Sequence, residues 1–171
     1  LGEKLKECFP GLILRELTYN FIPSIDVDAA YAYKHKGTLR TLGGYFKALR
    51  ALDFKELKHR NRVLFDLEKD PFNTFDYLFE LHRKYKLKAI FFILFADYGT
   101  NDKNTPTYNR NFRELLAYIS DHATVGIHPS YTSNTVHAKL NKGIKSLAKC
   151  VHREIVNSRQ HFFVVHLPFT Y

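Results

Sequence analysis

A chain of 171 residues, 45% hydrophobic and 15% aromatic, holds enough apolar material for the core of one ordinary domain. Its charged fraction of 25% excludes disorder driven by high charge and low apolarity. The formal charge of +9 invites a nucleic-acid reading, but Lys and Arg are dispersed through residues 34–36, 59–62 and 83–88, where solvated helix faces are expected, so no nucleic-acid partner is predicted. Cys8 and Cys150 provide at most one disulfide and lack the close pairing of a zinc-ligand motif. No apolar run of about 18 residues occurs, and the first residues lack a signal-peptide plan, so neither a membrane segment nor export is expected, and a soluble, cytoplasmic span is favoured.

In chain order, residues 1–19 read as an incoming helix or linker and residues 20–171 as one domain. Residues 21–28 form a first strand candidate. Residues 38–52 follow, with Leu39, Leu42, Tyr45, Phe46, Leu49 and Leu52 at three- and four-residue steps, which predicts a helix with one buried stripe. Asp70-Pro71 has the form of an N-cap followed by Pro at the first helical position, leading into Phe72, Phe75, Leu78, Phe79 and Leu81. Residues 89–97 are apolar at consecutive positions, as expected for a strand covered on both faces. A helix over 112–119, a strand over 124–129, a helix over 136–155 weakened by Gly143, and a strand over 161–167 complete the series. Alternation of this kind implies right-handed crossovers and a parallel α/β sheet, either open or part of a barrel.

In parallel α/β folds functional groups gather at the C-terminal ends of strands. Asp26 and Asp28 stand two apart on the first strand, so both carboxylates leave one face, where they repel unless a cation or proton intervenes. The competing reading is one helix cap and one solvated acid. His128, ending another strand, adds the nitrogen donor that makes a divalent-metal site with a separate base an economical reading. Asp97 and Tyr98 end the second strand, Ser130 and Tyr131 follow His128, and Arg159 and His161 open the last strand candidate.

Ser24-Ile25-Asp26-Val27-Asp28 resembles the first motif of NodB-homology polysaccharide deacetylases, and Gly126-Ile127-His128-Pro129-Ser130-Tyr131 is similar to the second. The Ser158 to Phe162 segment stands where that family carries an Arg-containing third motif. Further stretches, Ala30 to Gly37, Asp70 to Tyr77 and Asp97 to Asn104, are similar to a deacetylase-like group in Bacteroidetes, and the resemblance covers residues 21–171. It departs from the family at Thr132, which occupies the place of a usual second His ligand, and in lacking the later Leu-x-His that supplies a general acid.

The resemblance implies a partial or distorted seven-stranded (β/α) barrel whose C-terminal part lies beyond this chain. It implies a metal-dependent hydrolase that removes N- or O-acetyl groups from a carbohydrate. Asp26 would be the base, Arg159 would hold it ionised and oriented, and Asp28 and His128 would bind zinc or a similar ion. His161 is the candidate replacement for the missing ligand, against the plain reading of a strand-edge histidine. Asp97, Tyr98, Ser130 and Tyr131 would contact substrate, with an oxyanion met by a backbone N–H near Ser130 or Tyr131. Two further readings stay open: a glycan-binding domain of this fold without catalysis, and a basic nucleic-acid module. The chain by itself is expected to be inactive and, through an apolar sheet edge near residues 162–167, open to self-association.

Overall fold

The computed structural model describes residues 2–13 and 19–162. Strands β1 (Ser24–Val27), β2 (Ile90–Leu94) and β3 (Thr124–His128) form a parallel sheet in the order β1-β2-β3. Among the described residues six α-helices accompany them: α1 (Gly2–Cys8), α2 (Thr38–Arg50), α3 (Phe54–Leu64), α4 (Phe75–Lys84), α5 (Arg110–His122) and α6 (His137–Val151). The register pairs Asp26 with Phe92, Phe92 with Gly126, and Leu94 with His128, so Asp26, Phe92, Leu94 and His128 share one face of the sheet.

The all-apolar sequence of β2 is explained by burial on both faces. Phe91 and Ile93 face the helices and join Phe75, Phe79, Phe112, Leu116 and Ile119 in the core, while Phe92 and Leu94 are also buried but lie outside that cluster. Beyond β3 the chain returns alongside the edge of the sheet that β2 leaves free. Ile127 donates to the Asn157 carbonyl at 2.9 Å, and the Arg159 N–H donates to the Ile127 carbonyl at 3.0 Å, forming a parallel bridge at Ser158. Gly126 makes that approach possible, since a Cβ there would stand 2.7 Å from the Phe92 ring and 2.9 Å from the Asn157 oxygen. The fourth strand expected over 161–167 falls mostly outside the described residues, as does His166; the strand-like pairing next to β3 begins earlier, at Asn157.

Three local expectations need correction. Asp70 does not cap a helix: α4 begins at Phe75 after Thr74, and the Asp70 carboxylate instead accepts from the backbone N–H groups of Ala32, Tyr33, Lys34 and Phe72 at 2.7 to 3.1 Å. The apolar stripe of α2 is exposed rather than buried, because α2 packs on α3 through its small face and leaves only Ala48 buried. A helix over 54–64 was not expected; Asp53 caps it, accepting from the Glu56 N–H at 2.9 Å. Elsewhere Asn109 caps α5 through the Phe112 N–H, and α6 stops at His152, whose φ of 54° is left-handed. No helix among the described residues is long and apolar enough to cross a membrane.

Candidate metal centre

The C-terminal ends of β1 and β3 and the returning segment at Arg159 to His161 meet at one point. Asp28 Oδ1 lies 3.4 Å from His128 Nε2 and 3.5 Å from His161 Nδ1, and the two nitrogens are 3.0 Å apart. A tetrahedral ion with bonds of about 2.0 to 2.2 Å separates its ligand atoms by about 3.3 to 3.6 Å, so this triangle already has roughly the size of three ligands on one ion.

The protonation pattern is set by what surrounds it. His128 Nδ1 sits 2.5 Å from the Arg159 carbonyl oxygen, and since a carbonyl only accepts, Nδ1 carries a proton, so that Nε2 is the nitrogen available to hold a cation. That is the arrangement in which an outer hydrogen bond fixes the tautomer of a ligating histidine. The facing His161 Nδ1 can either donate to His128 Nε2 or share a cation with it. Its other nitrogen, Nε2, is buried with no partner among the described residues. His128 is buried, its ring packed edge-on against His161 at 4.7 Å, whereas the Asp28 side chain is 58% exposed and leaves the centre open on one side. An open position beside three protein ligands is what distinguishes catalytic from structural zinc sites.

Asp26 is held separately. Arg159 Nη1 donates to its Oδ1 at 3.0 Å, Nη2 donates to Ser24 Oγ at 2.6 Å, and the guanidinium lies 4.5 Å from the centre of the Phe92 ring. Arg159 thus fixes His128 through its main chain and Asp26 through its side chain. Ser24 was not singled out from the sequence, although its place two residues before Asp26 puts it on the same strand face.

The remaining candidates lie to one side. Asp97, Tyr98 and Ser130 line a cleft of about 330 Å³ together with Lys139 and Lys142. Lys142 reaches Asp97 at 3.8 Å, and Arg40 covers the Tyr98 ring at 4.2 Å. Tyr131 packs edge-on against Phe162, and its backbone N–H donates to Asp102 Oδ1 at 2.9 Å, so it is not the donor for an oxyanion. The buried Asp102, which ties the loop after β2 to the loop after β3, lies in the Asp97 to Asn104 stretch but was not singled out within it. Thr132 faces away into a hydroxyl cluster, accepting from Lys139 Nζ and bonding Ser130 Oγ, each at 3.2 Å.

Compared with protein-family models, with curated proteins and with solved structures, the chain gives no match.

Proposed function

We propose that the chain carries the site of a metal-dependent carbohydrate deacetylase, on a barrel-like extension of the parallel sheet. The observation that carries this reading is the triangle of Asp28, His128 and His161 beside a second carboxylate, Asp26, that is clamped by an arginine and is not part of the triangle. Two carboxylates from one strand therefore have different surroundings, one suited to binding a cation and the other to moving a proton.

Asp28, His128 and His161 would hold a divalent ion such as zinc, which would supply Lewis acidity toward an acyl carbonyl and acidify water. Asp26 takes the proton of the attacking water, and Arg159 aims its carboxylate while Ser24 and Phe92 hold the guanidinium. With the Tyr131 N–H engaged by Asp102 and no N–H on Pro129, the Ser130 N–H is the main-chain donor assigned to the developing oxyanion. The cleft of Asp97, Tyr98 and Ser130 offers the mixture of carboxylate, aromatic ring and hydroxyl that suits sugar hydroxyls.

Glycan binding without catalysis is the second reading, favoured by Thr132, which already takes the Lys139 hydrogen bond at the place of the usual second ligand. Metal titration and acetate release from chitooligosaccharides and acetylxylan, both measured on the full-length protein, separate the two. The deacetylase reading expects one divalent ion per chain, metal-dependent acetate release, and an Asp26→Asn variant that keeps the metal and loses about 100- to 10,000-fold in rate. Stoichiometric metal with no acetate release favours glycan binding, and failure to take up any divalent ion refutes the centre itself.

A further inference from the structure

The hairpin of α2 and α3 carries a surface that the centre does not use. Leu39, Leu42, Phe46 and Leu49 follow one another at steps of three, four and three residues, one stripe of α2, and are 85%, 64%, 67% and 56% exposed. Leu52 and Phe54 extend it through the turn into α3, at 70% and 67%. The opposite side of α2 is the one that packs: Ala48 is buried, Tyr45 bonds Asn61, and Gly44 lies against Arg60, whose guanidinium would be 2.4 Å from a Cβ at that position. The apolar stripe therefore points away from the small face that packs on α3.

Charge narrows what can cover this stripe. Residues 38–67 contain seven Lys and Arg against three Asp and Glu. All three acids are engaged within the fold: Asp53 caps α3, Glu56 holds Arg60 and Tyr33, and Asp66 holds Lys34. Lys47 and Arg50 are exposed along one margin of the stripe, α2 contains no acidic residue, and Lys55, Lys58 and Arg62 are exposed on α3. Two copies meeting stripe to stripe would bring these cations together, which disfavours a symmetric dimer. An apolar stripe with a cationic margin instead matches an anionic lipid surface, where leucine and phenylalanine enter the acyl boundary and lysine and arginine meet the headgroups.

We propose that the α2–α3 hairpin is a peripheral binding surface for anionic membranes, lying in the interface plane. Cosedimentation of the purified protein with vesicles of phosphatidylcholine alone, and of phosphatidylcholine with about one third phosphatidylglycerol, tests it directly. Binding is expected to the anionic vesicles only, to weaken as salt rises from about 0.05 to 0.5 M, and to fall at least about tenfold in Phe46→Glu and in the Lys47→Glu/Arg50→Glu double variant. All three substitutions are at exposed positions, and far-ultraviolet circular dichroism checks each fold; Leu39→Ser/Leu42→Ser replaces Phe46→Glu should the latter lose its helical signal. Absence of vesicle binding, equal binding to both vesicle types, or unchanged binding by the variants overturns the proposal. So does a dimer in analytical ultracentrifugation that Phe46→Glu dissociates while vesicles are ignored, which would assign the stripe to a second copy.

Discussion

The loop that leaves β1 is held by one carboxylate and begins at another, and the two are treated in opposite ways. Asp70 is buried, reaches across from a distant segment, and accepts hydrogen bonds from four backbone N–H groups, three of them consecutive at Ala32, Tyr33 and Lys34. Asp28, four residues earlier in the chain, is exposed and its Oδ1 faces two imidazole nitrogens. A carboxylate surrounded by fixed donors is spent on shaping a loop. One that faces two imidazole nitrogens is placed to share a cation or a proton with them.

Replacing each carboxylate breaks the comparison if it is false. Asp70→Ala removes a buried anion from four N–H donors and leaves them unpaired, so a loss of about 3 to 5 kcal/mol in unfolding free energy is expected by denaturant titration. Asp28→Ala, at an exposed position, should change that quantity by no more than about 0.5 kcal/mol in metal-free buffer. Equal destabilisation by the two would mean that Asp28 is a structural acid as well.

Metal affinity should respond in the opposite sense. Calorimetric titration with zinc should lose at least about 100-fold in affinity in Asp28→Ala and in His161→Ala, beyond the 10- to 100-fold cost of losing an outer hydrogen-bond partner. Asp70→Ala, measured under conditions where it stays folded, should lose less than either. His161→Ala matters most for the argument, because an unchanged affinity would return that residue to the status of a strand-edge histidine.

A smaller effect sharpens the contrast through pH. Burial works to raise the Asp70 pKa, but the backbone donors at Tyr33, Ala32, Lys34 and Phe72 outweigh it and hold the carboxyl below its ordinary range. A depressed folded-state pKa means that the stabilisation is fully present above the unfolded value of about 3.9 and is lost as pH falls through the folded one. Wild-type stability should therefore decline below about pH 4 more steeply than that of Asp70→Asn, which has no charge to lose. Parallel acid profiles for the two proteins would show that the donors do not favour the ionised form.

What could be read from the sequence follows how local each cause is. The three described strands were legible, β2 most clearly because burial on both faces leaves an uninterrupted apolar run, and the grouping of Asp26, Asp28, His128 and Arg159 was legible because strand-end position and two-residue parity are local rules. Asp70-Pro71 misled because three of the four partners of Asp70 lie 36 to 38 residues upstream, out of reach of any capping rule. In α2 the periodicity identified an apolar stripe but not which side of the helix meets the rest of the protein; the opposite side, with Tyr45 bonded to Asn61 and Ala48 buried, is the one that packs on α3. Asp102 was invisible for the same reason as Asp70, since its partner, the Tyr131 N–H, is 29 residues away.

The span of the Arg159 contacts bears on how such a centre comes into being. Asp26 and Arg159 are separated by 133 positions, and Ser24 and Arg159 by 135, so almost the whole length between them must be made before the clamp can close. At a synthesis rate of about 5 to 20 residues per second, Asp26 and Asp28 wait about 7 to 27 s for their partners. During that interval the nascent chain presents two neighbouring carboxylates with neither the arginine nor the second histidine. Contacts of such long sequence separation are also the slowest to form once the chain is complete. The ligand triangle is therefore expected to assemble late, once the fold around it is in place.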